Sequence, residues 1–220
     1  MKLILPPELL SSLKAMDIAL FDDMVSRDEY CLELGDFNGR NVLDIGANIG
    51  MFSMIAASVG GKTIVSIEPN SSSFKALVKN CHPYPNIHPL RFAVCGKAGA
   101  CDTIGEGQVC TVVPSLDGTV PTITLSQAMA LFPPGDNDLL LKMDIEGAEF
   151  DVIYNTSRDD IRRFRTFMLE THCRENPERT NALERFVITL GYRLLSSKPL
   201  FLLPYWTCLG QNILKYERID

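Results

Sequence analysis

Side chains able to hold or move a proton fall together at two places in this chain. The apolar run Leu139-Leu140-Leu141 leads through Lys142 and Met143 into Asp144, Glu146 and Glu149. A later apolar run ends at Leu169 and is followed by Glu170 and His172. In open α/β sheets the ligand-facing groups stand at the carboxyl ends of strands, so Asp144, Glu170 and His172 are the expected catalytic group. An imidazole with an ordinary pKa near ~6.5 is matched to proton transfer at neutral pH. His82 and His88 sit in or beside the turn around Pro83 and Pro85, which leaves His172 as the expected general base, with Asp144 holding substrate or cofactor beside it. Glu149, at the start of a predicted helix, is read mainly as a complement to the helix dipole. A second route places Asp144 and Glu170 on a Mg2+ ion that acidifies a hydroxyl, since oxygen ligands suit hard cations. The route without a metal is the one expected.

A ligand-binding turn lies earlier. Val42-Leu43-Asp44-Ile45-Gly46-Ala47-Asn48-Ile49-Gly50 reads as a buried strand, a glycine-punctuated turn and the start of a helix from Met51 to Ser58. Gly46 and Gly50 are read as points where the backbone approaches a ligand that a Cβ would block. Asp44 has two readings that can hold together, a carboxylate that orders the turn and one that faces a cationic part of the ligand. The second strand then closes on Ile67-Glu68-Pro69-Asn70, and an acid at that position accepts hydrogen bonds from ribose hydroxyls. Turn and acid together point to an adenosine-type ligand contacted by Asp44, Gly46, Asn48, Gly50, Glu68, Pro69 and Asp144. A nicotinamide dinucleotide is the runner-up, but it prefers Gly-x-Gly-x-x-Gly and Asn48 stands where the second glycine is wanted.

The elements that must position these residues alternate. Residues 1–40 read as an appended helical cap, with Leu9, Leu10, Leu13, Met16 and Leu20 at helix spacing after Pro6-Pro7 and a second turn ending at Gly35. From Asn41 to the end, short apolar strands alternate with amphipathic helices, the pattern of a mostly parallel sheet covered on both faces. Strands are expected over Asn41–Asp44, Thr63–Glu68, Ile87–Ala93, Leu139–Asp144 and Thr166–Thr171. Tyr192–Ser196 and Cys208–Lys215 have no helix between them, which predicts a closing antiparallel pair. Residues 101–124 read as an inserted hairpin or extended loop, followed by a helix starting near Ser126.

Composition narrows the function classes. With 46% hydrophobic and 22% charged residues, the chain has the makeup of a globular α/β domain. A net charge of -6 argues against a nucleic-acid partner, which calls for a surplus of Lys and Arg. Arg158, Arg162, Arg163 and Arg165 cluster, but Asp159 and Asp160 interleave them, so they read as a solvated helix face ahead of an anion site. The seven cysteines contain no Cys-x-x-Cys pair, which suggests reduced thiols and a cytoplasmic location. Cys81, His82, His88 and Cys95 match no structural zinc spacing. Neither a secretory signal nor a membrane span is expected, since the apolar run from Ile49 to Val59 falls short of the ~20 residues a bilayer requires.

The blocks VLDIGANIGMFSMIAA, IEPN, VPTITL and LLKMDIEGAEFDVI, taken together, resemble the FkbM family of class I S-adenosylmethionine-dependent methyltransferases. The likeness runs from about Asn41 to the last strand. It extends to Glu170 and His172 in MLETH and to Asn212 in QNIL. The resemblance implies a Rossmann-like seven-stranded sheet, mostly parallel with a terminal antiparallel hairpin, and S-adenosylmethionine as the cofactor. It implies O-methyl transfer to a small-molecule or sugar-type hydroxyl. Other readings are a non-catalytic regulator that holds the adenosine cofactor, a metal-assisted O-methyltransferase and RNA 2'-O-methylation; the acidic charge and want of an obvious second lysine weigh against the last. The cap and the loop from Lys198 to Trp206 follow no family pattern. Leu200–Leu203, Tyr205 and Trp206 are read as hairpin packing, ahead of a substrate wall or a dimer contact.

Overall fold

The computed structural model describes residues 3–106, 109–115, 117–172, 178–199 and 211–220. The chain opens with α1 (Pro7–Met16), which has a proline at its first position and buries Leu9 and Leu13. Asp17 then caps α2 (Ile18–Phe21) by accepting from the amides of Ala19 and Leu20. A π-helical turn (Asp22–Ser26) follows, and α3 (Leu34–Phe37) opens with a capping box between Glu33 and Asp36. The expected turn ending at Gly35 is therefore a helix that runs past it.

The central unit begins with β1 (Val42–Ile45), α4 (Met51–Ser58), β2 (Ile64–Ile67), α5 (Ser71–Cys81), β3 (Ile87–Leu90) and β4 (Ala93–Val94). Helix α4 spans the residues expected from sequence, and α5 starts where the Asn70 side chain accepts from the amides of Ser72 and Ser73. One strand was expected over Ile87–Ala93, but the chain divides it. β3 stays at the edge of the large sheet, where Pro89 is tolerated, and β4 leaves for a second sheet. The inserted segment is β5 (Gly99–Glu106), β6 (Val109–Pro114) and β7 (Val120–Ile123). The expected hairpin is the antiparallel pair β5 and β6, and it belongs to a four-stranded sheet in the order β4-β7-β5-β6.

After α6 (Leu125–Met129), started by a Thr124–Gln127 capping box, come β8 (Leu139–Met143), α7 (Glu149–Tyr154), α8 (Arg158–Ile161) and β9 (Phe164–His172). The chain then adds α9 (Glu178–Thr189), β10 (Tyr192–Pro199) and β11 (Gln211–Arg218). Among the described residues the large sheet has seven strands in the order β10-β11-β9-β8-β1-β2-β3. Strands β3, β2, β1, β8 and β9 are parallel, whereas β11 runs antiparallel to β9 and β10. The connection between β10 and β11, with Leu200–Leu203, Tyr205 and Trp206, lies outside the described residues.

Alternation along the strands feeds two cores. Val42, Ile64, Leu140, Met168 and Ile213 pack on one face with α4 and the N-terminal helices. Leu43, Val65, Leu141, Phe167 and Leu214 pack on the other with α6, α7 and α9. Leu9, Leu13, Phe21, Met24, Tyr30 and Phe37 belong to the first core, so the N-terminal segment is a layer of the sheet sandwich. The arginine cluster is more structural than its charge pattern suggests. Arg162 donates to the Leu190 carbonyl, Arg163 to the Asp136 and Pro133 carbonyls, and Arg165 pairs with Asp220. Among the described residues no helix is long and apolar enough to cross a membrane, and Cys31, Cys81 and Cys95 are free thiols.

Candidate active site

The chain steps outward from β1 to β2 and β3, then returns to place β8 on the other side of β1. The strand order thus reverses between β1 and β8, the place where open α/β sheets leave a crevice at their carboxyl ends. A cavity of about 190 Å3 opens there. Gly46, Asn48, Glu68, Pro69, Asp144, Glu170 and His172 all line it. These seven come from four strand ends, brought together by parallel register alone.

Glu68 is buried at the end of β2, with one carboxylate oxygen accepting from the Asn48 amide at 2.9 Å and the other from the Asn70 amide at 2.8 Å. Burial raises its pKa and the two amides oppose the rise. Asn48 meets this carboxylate because it adopts a left-handed backbone, φ 48°. The side chain of Glu68 thereby locks the turn after β1 to the end of β2 and still borders the cavity.

Asp44 and Gly50 were expected at the ligand and lie behind the turn. Asp44 is fully buried, accepts from Ser53 Oγ at 2.6 Å and faces Lys142 Nζ at 3.5 Å. These contacts give it the turn-ordering role. Packing within the protein also constrains both glycines. A Cβ on Gly46, whose φ is 77°, would lie 1.7 Å from the carbonyl oxygen of Asp144. On Gly50, φ 93°, it would lie 2.7 Å from both Cys81 Sγ and Leu77 Cδ1. Protein packing by itself requires glycine at both positions, and Gly46 also borders the cavity.

Lys142 is the residue that the sequence reading passed over. It is a buried cation in the middle of an apolar strand, and it donates to the Gly46 carbonyl at 2.7 Å while facing Asp44 and Asp144 Oδ2, the latter at 3.8 Å. Burial would lower its pKa, but Asp44 and Asp144 raise it above the usual lysine value. A charge inside a leucine run was the available signal, because a buried lysine must be paired.

Glu149 does more than complement a helix. It is fully buried, and its Oε1 accepts from the amides of Ile145 and Gly147 at 3.1 and 3.2 Å and from His172 Nδ1 at 2.8 Å. The other ring nitrogen of His172 faces Glu170 at 3.4 Å, Glu146 at 3.7 Å and Asp144 at 3.8 Å. Burial works to lower the pKa of His172, but the bonds to Glu149 and Glu170 and the surrounding charge carry it to about 11. An imidazolium that keeps its proton at neutral pH cannot accept another. This surrounding of four carboxylates favours His172 as a cationic hub over the expected general-base role.

Glu170 is held between this hub and the N-terminal layer, where the Tyr30 hydroxyl donates to its Oε2 at 3.2 Å. Burial and Asp144 raise its pKa, against His172 and Lys142. Tyr30 and Glu29, both in the cavity wall, carried no local signal in the sequence. Asp144, Glu149 and His172 each offer a ligand atom within 4.8 Å of one another, the arrangement that could take a divalent cation. The imidazolium already neutralises that place, so a metal there must first displace the proton of His172. Asn212 pairs with Thr171 across β11 and β9, and its carbonyl accepts the Thr171 hydroxyl at 3.2 Å.

This strand order, with a glycine turn after β1 and acids closing β2, β8 and β9, defines a Rossmann-like class I methyltransferase. The methyltransferase FkbM domain matches residues 44–194, more than half of the chain, and the protein belongs to that family. Among solved structures, the fibrillarin pre-rRNA processing protein of Methanococcus jannaschii is similar with a TM-score of 0.56 at 11% identity, covering 90% of this chain and 76% of that one. The methyltransferase FkbM of Methylobacillus flagellatus KT is similar with a TM-score of 0.53 at 15% identity, covering 81% of this chain and 43% of that one. A protein of the NADB-Rossmann superfamily from Streptococcus agalactiae has a TM-score of 0.50 at 12% identity, covering 99% and 70%. At these identities the likeness shows the fold alone. No curated protein sequence matches the chain.

Proposed function

We propose that this methyltransferase uses S-adenosylmethionine to methylate a hydroxyl of a small-molecule or sugar-type acceptor, in the cytoplasm and without a metal. The observation that carries the reading is the single cavity joining Glu68 and the Gly46–Asn48 turn to the acids Asp144, Glu146 and Glu170. Its chemistry fits this cofactor better than a dinucleotide. Glu68 is placed to accept from ribose hydroxyls, while Ile67, Phe92 and Val94 supply an apolar wall suited to a flat base. The carboxylates beyond favour a cation and would repel a pyrophosphate.

When bound there, the cofactor supplies a methyl group on a positively charged sulfur. The chain's own residues would do the rest. Glu68, Asn48 and Pro69 hold the nucleoside end, Lys142 fixes the Gly46 carbonyl, and Asp144 and Glu170 face the cationic end. Positioning of acceptor and methyl in line is the larger part of such catalysis. A non-catalytic regulator fits less well, because among the described residues the crevice beside Asp144 is not filled by side chains. An RNA acceptor is disfavoured by the acidic lining and the net charge of -6.

Calorimetry tests the reading. S-adenosylmethionine and S-adenosylhomocysteine should both bind, and Glu68→Ala should weaken both at least tenfold, about 1.4 kcal/mol. Failure of both ligands to bind, or tighter binding of a nicotinamide dinucleotide, would refute it.

A further inference from the structure

The N-terminal segment, which the family match over residues 44–194 does not reach, supplies one wall of the cavity. Leu20, Asp23, Met24, Glu29 and Tyr30 face into it. The turn that presents Glu29 and Tyr30 is strained on both sides. Asp28 and Cys31 hold φ of 50° and 49°, a left-handed backbone that residues with a Cβ adopt only under constraint. Surrounding contacts enforce it. Asp28 Oδ1 accepts from the Leu32 amide at 2.8 Å, Lys198 donates to the Asp28 carbonyl, and buried Lys215 donates to the Cys31 carbonyl at 2.7 Å. Tyr30 is engaged with Glu170. Glu29 is not: it is half-buried in the wall, and among the described residues its side chain makes no hydrogen bond or close ion pair.

We propose that Glu29 is the catalytic base: the carboxylate that faces the transferred methyl group and takes the proton of the acceptor hydroxyl. This rests on the methyl-transfer reading above. As a lone pair of the acceptor oxygen bonds to the methyl carbon, the carbon–sulfur electron pair stays on sulfur and the hydroxyl proton passes to Glu29, which returns it to solvent. The other cavity carboxylates each face a fixed donor or cation: Glu170 faces Tyr30 and His172, Glu68 two amides, Asp23 Arg27 at 2.6 Å, Glu146 His172 at 3.7 Å and Asp144 Lys142 at 3.8 Å. The charged groups around Glu29 are Asp23 on the π-helical turn, Arg27, Glu170 on β9 and Lys198 on β10. Burial, then Asp23 and Glu170, push the Glu29 carboxyl up to about 7 against Arg27 and Lys198. That value suits a base working at neutral pH.

A sulfonium held in this cavity should favour the ionised form of Glu29, and the uncharged sulfur of S-adenosylhomocysteine should not. Binding of each ligand at pH 7 is therefore measured by calorimetry in phosphate and in Tris, whose ionisation enthalpies differ. S-adenosylmethionine should expel up to about half a proton more than S-adenosylhomocysteine. Glu29→Gln should abolish the difference while S-adenosylhomocysteine affinity stays within about threefold, and Glu29→Asp should keep it. Carbon NMR of the wild-type carboxyls needs no variant, and it should show a glutamate titrating near 7 whose midpoint falls when S-adenosylmethionine replaces S-adenosylhomocysteine. If both ligands bind with no difference in proton release, or if no glutamate midpoint moves, the base assignment is wrong and the methyl-transfer reading stands. If neither ligand binds, both are overturned.

Discussion

At the scale of single residues, the charge on His172 decides how the site works. Its ring is enclosed by Glu149, Glu170, Glu146 and Asp144, so the proton stays on at neutral pH. A group whose pKa rises from 6.5 to about 11 on folding contributes stability that is full below the lower value and is lost as pH climbs through the higher. His172→Gln should therefore cost about 3 kcal/mol at pH 7, because it strands buried carboxylates without their cation. Denaturant melts should show that deficit shrinking as pH is raised toward 10 and above. NMR of the wild-type imidazole should show no titration between pH 5 and 8. A midpoint near 6.5 would return His172 to the role of base and remove the reason for seeking one in the N-terminal segment.

At the scale of elements, the site depends on how closely β1 and β8 approach beyond their last paired residues. Ile45 pairs with Met143, and the Asp144 amide then donates to the Ile45 carbonyl at 3.0 Å. Gly46 passes so near the Asp144 carbonyl that any side chain would drive the two strand ends apart. Gly46→Ala should destabilise the fold by about 3–5 kcal/mol, through both the collision and the positive φ. Gly50→Ala meets only side-chain ends, on Cys81 and Leu77, which can yield, so its cost should be smaller. Thermal unfolding ranks the two directly. A Gly46→Ala protein that melts with the wild type would mean that this contact does not set the geometry of the site.

At the scale of the whole molecule, the N-terminal layer and the C-terminal strands are tied through one buried ion pair. Lys215 Nζ on β11 lies 2.7 Å from Asp36 Oδ2 at α3, and both side chains are buried. The same lysine holds the Cys31 carbonyl, so it links the sheet to the turn that carries Glu29 and Tyr30. Asp36→Ala should leave that ammonium buried and unpaired, at a cost of about 3–5 kcal/mol. Leu13→Ala, in the same layer, should cost about 2–5 kcal/mol through the cavity it leaves. Global unfolding with a single transition in both variants is the expected result. A variant that loses only the N-terminal layer while the sheet melts as before would show that the layer is not part of the cooperative unit.

Much of this arrangement could be read from local pattern. The short apolar strands, the span of α4, the acid closing β2 and the antiparallel close at β10 and β11 each follow from periodicity and turn chemistry within a few residues. Those signals also located Glu68, Asn48, Asp144 and Glu170 at strand ends, which parallel register then gathers around one cavity. Contacts between residues far apart in the chain were not legible in the same way. The proton on His172 depends on carboxylates from two segments, the need for glycine at position 46 depends on a carbonyl nearly a hundred residues on, and the exposure of Glu29 to the cavity depends on Lys198 and Lys215. A pKa or a steric clash is set by whatever lies within a few ångströms, and only the folded chain determines which residues those are.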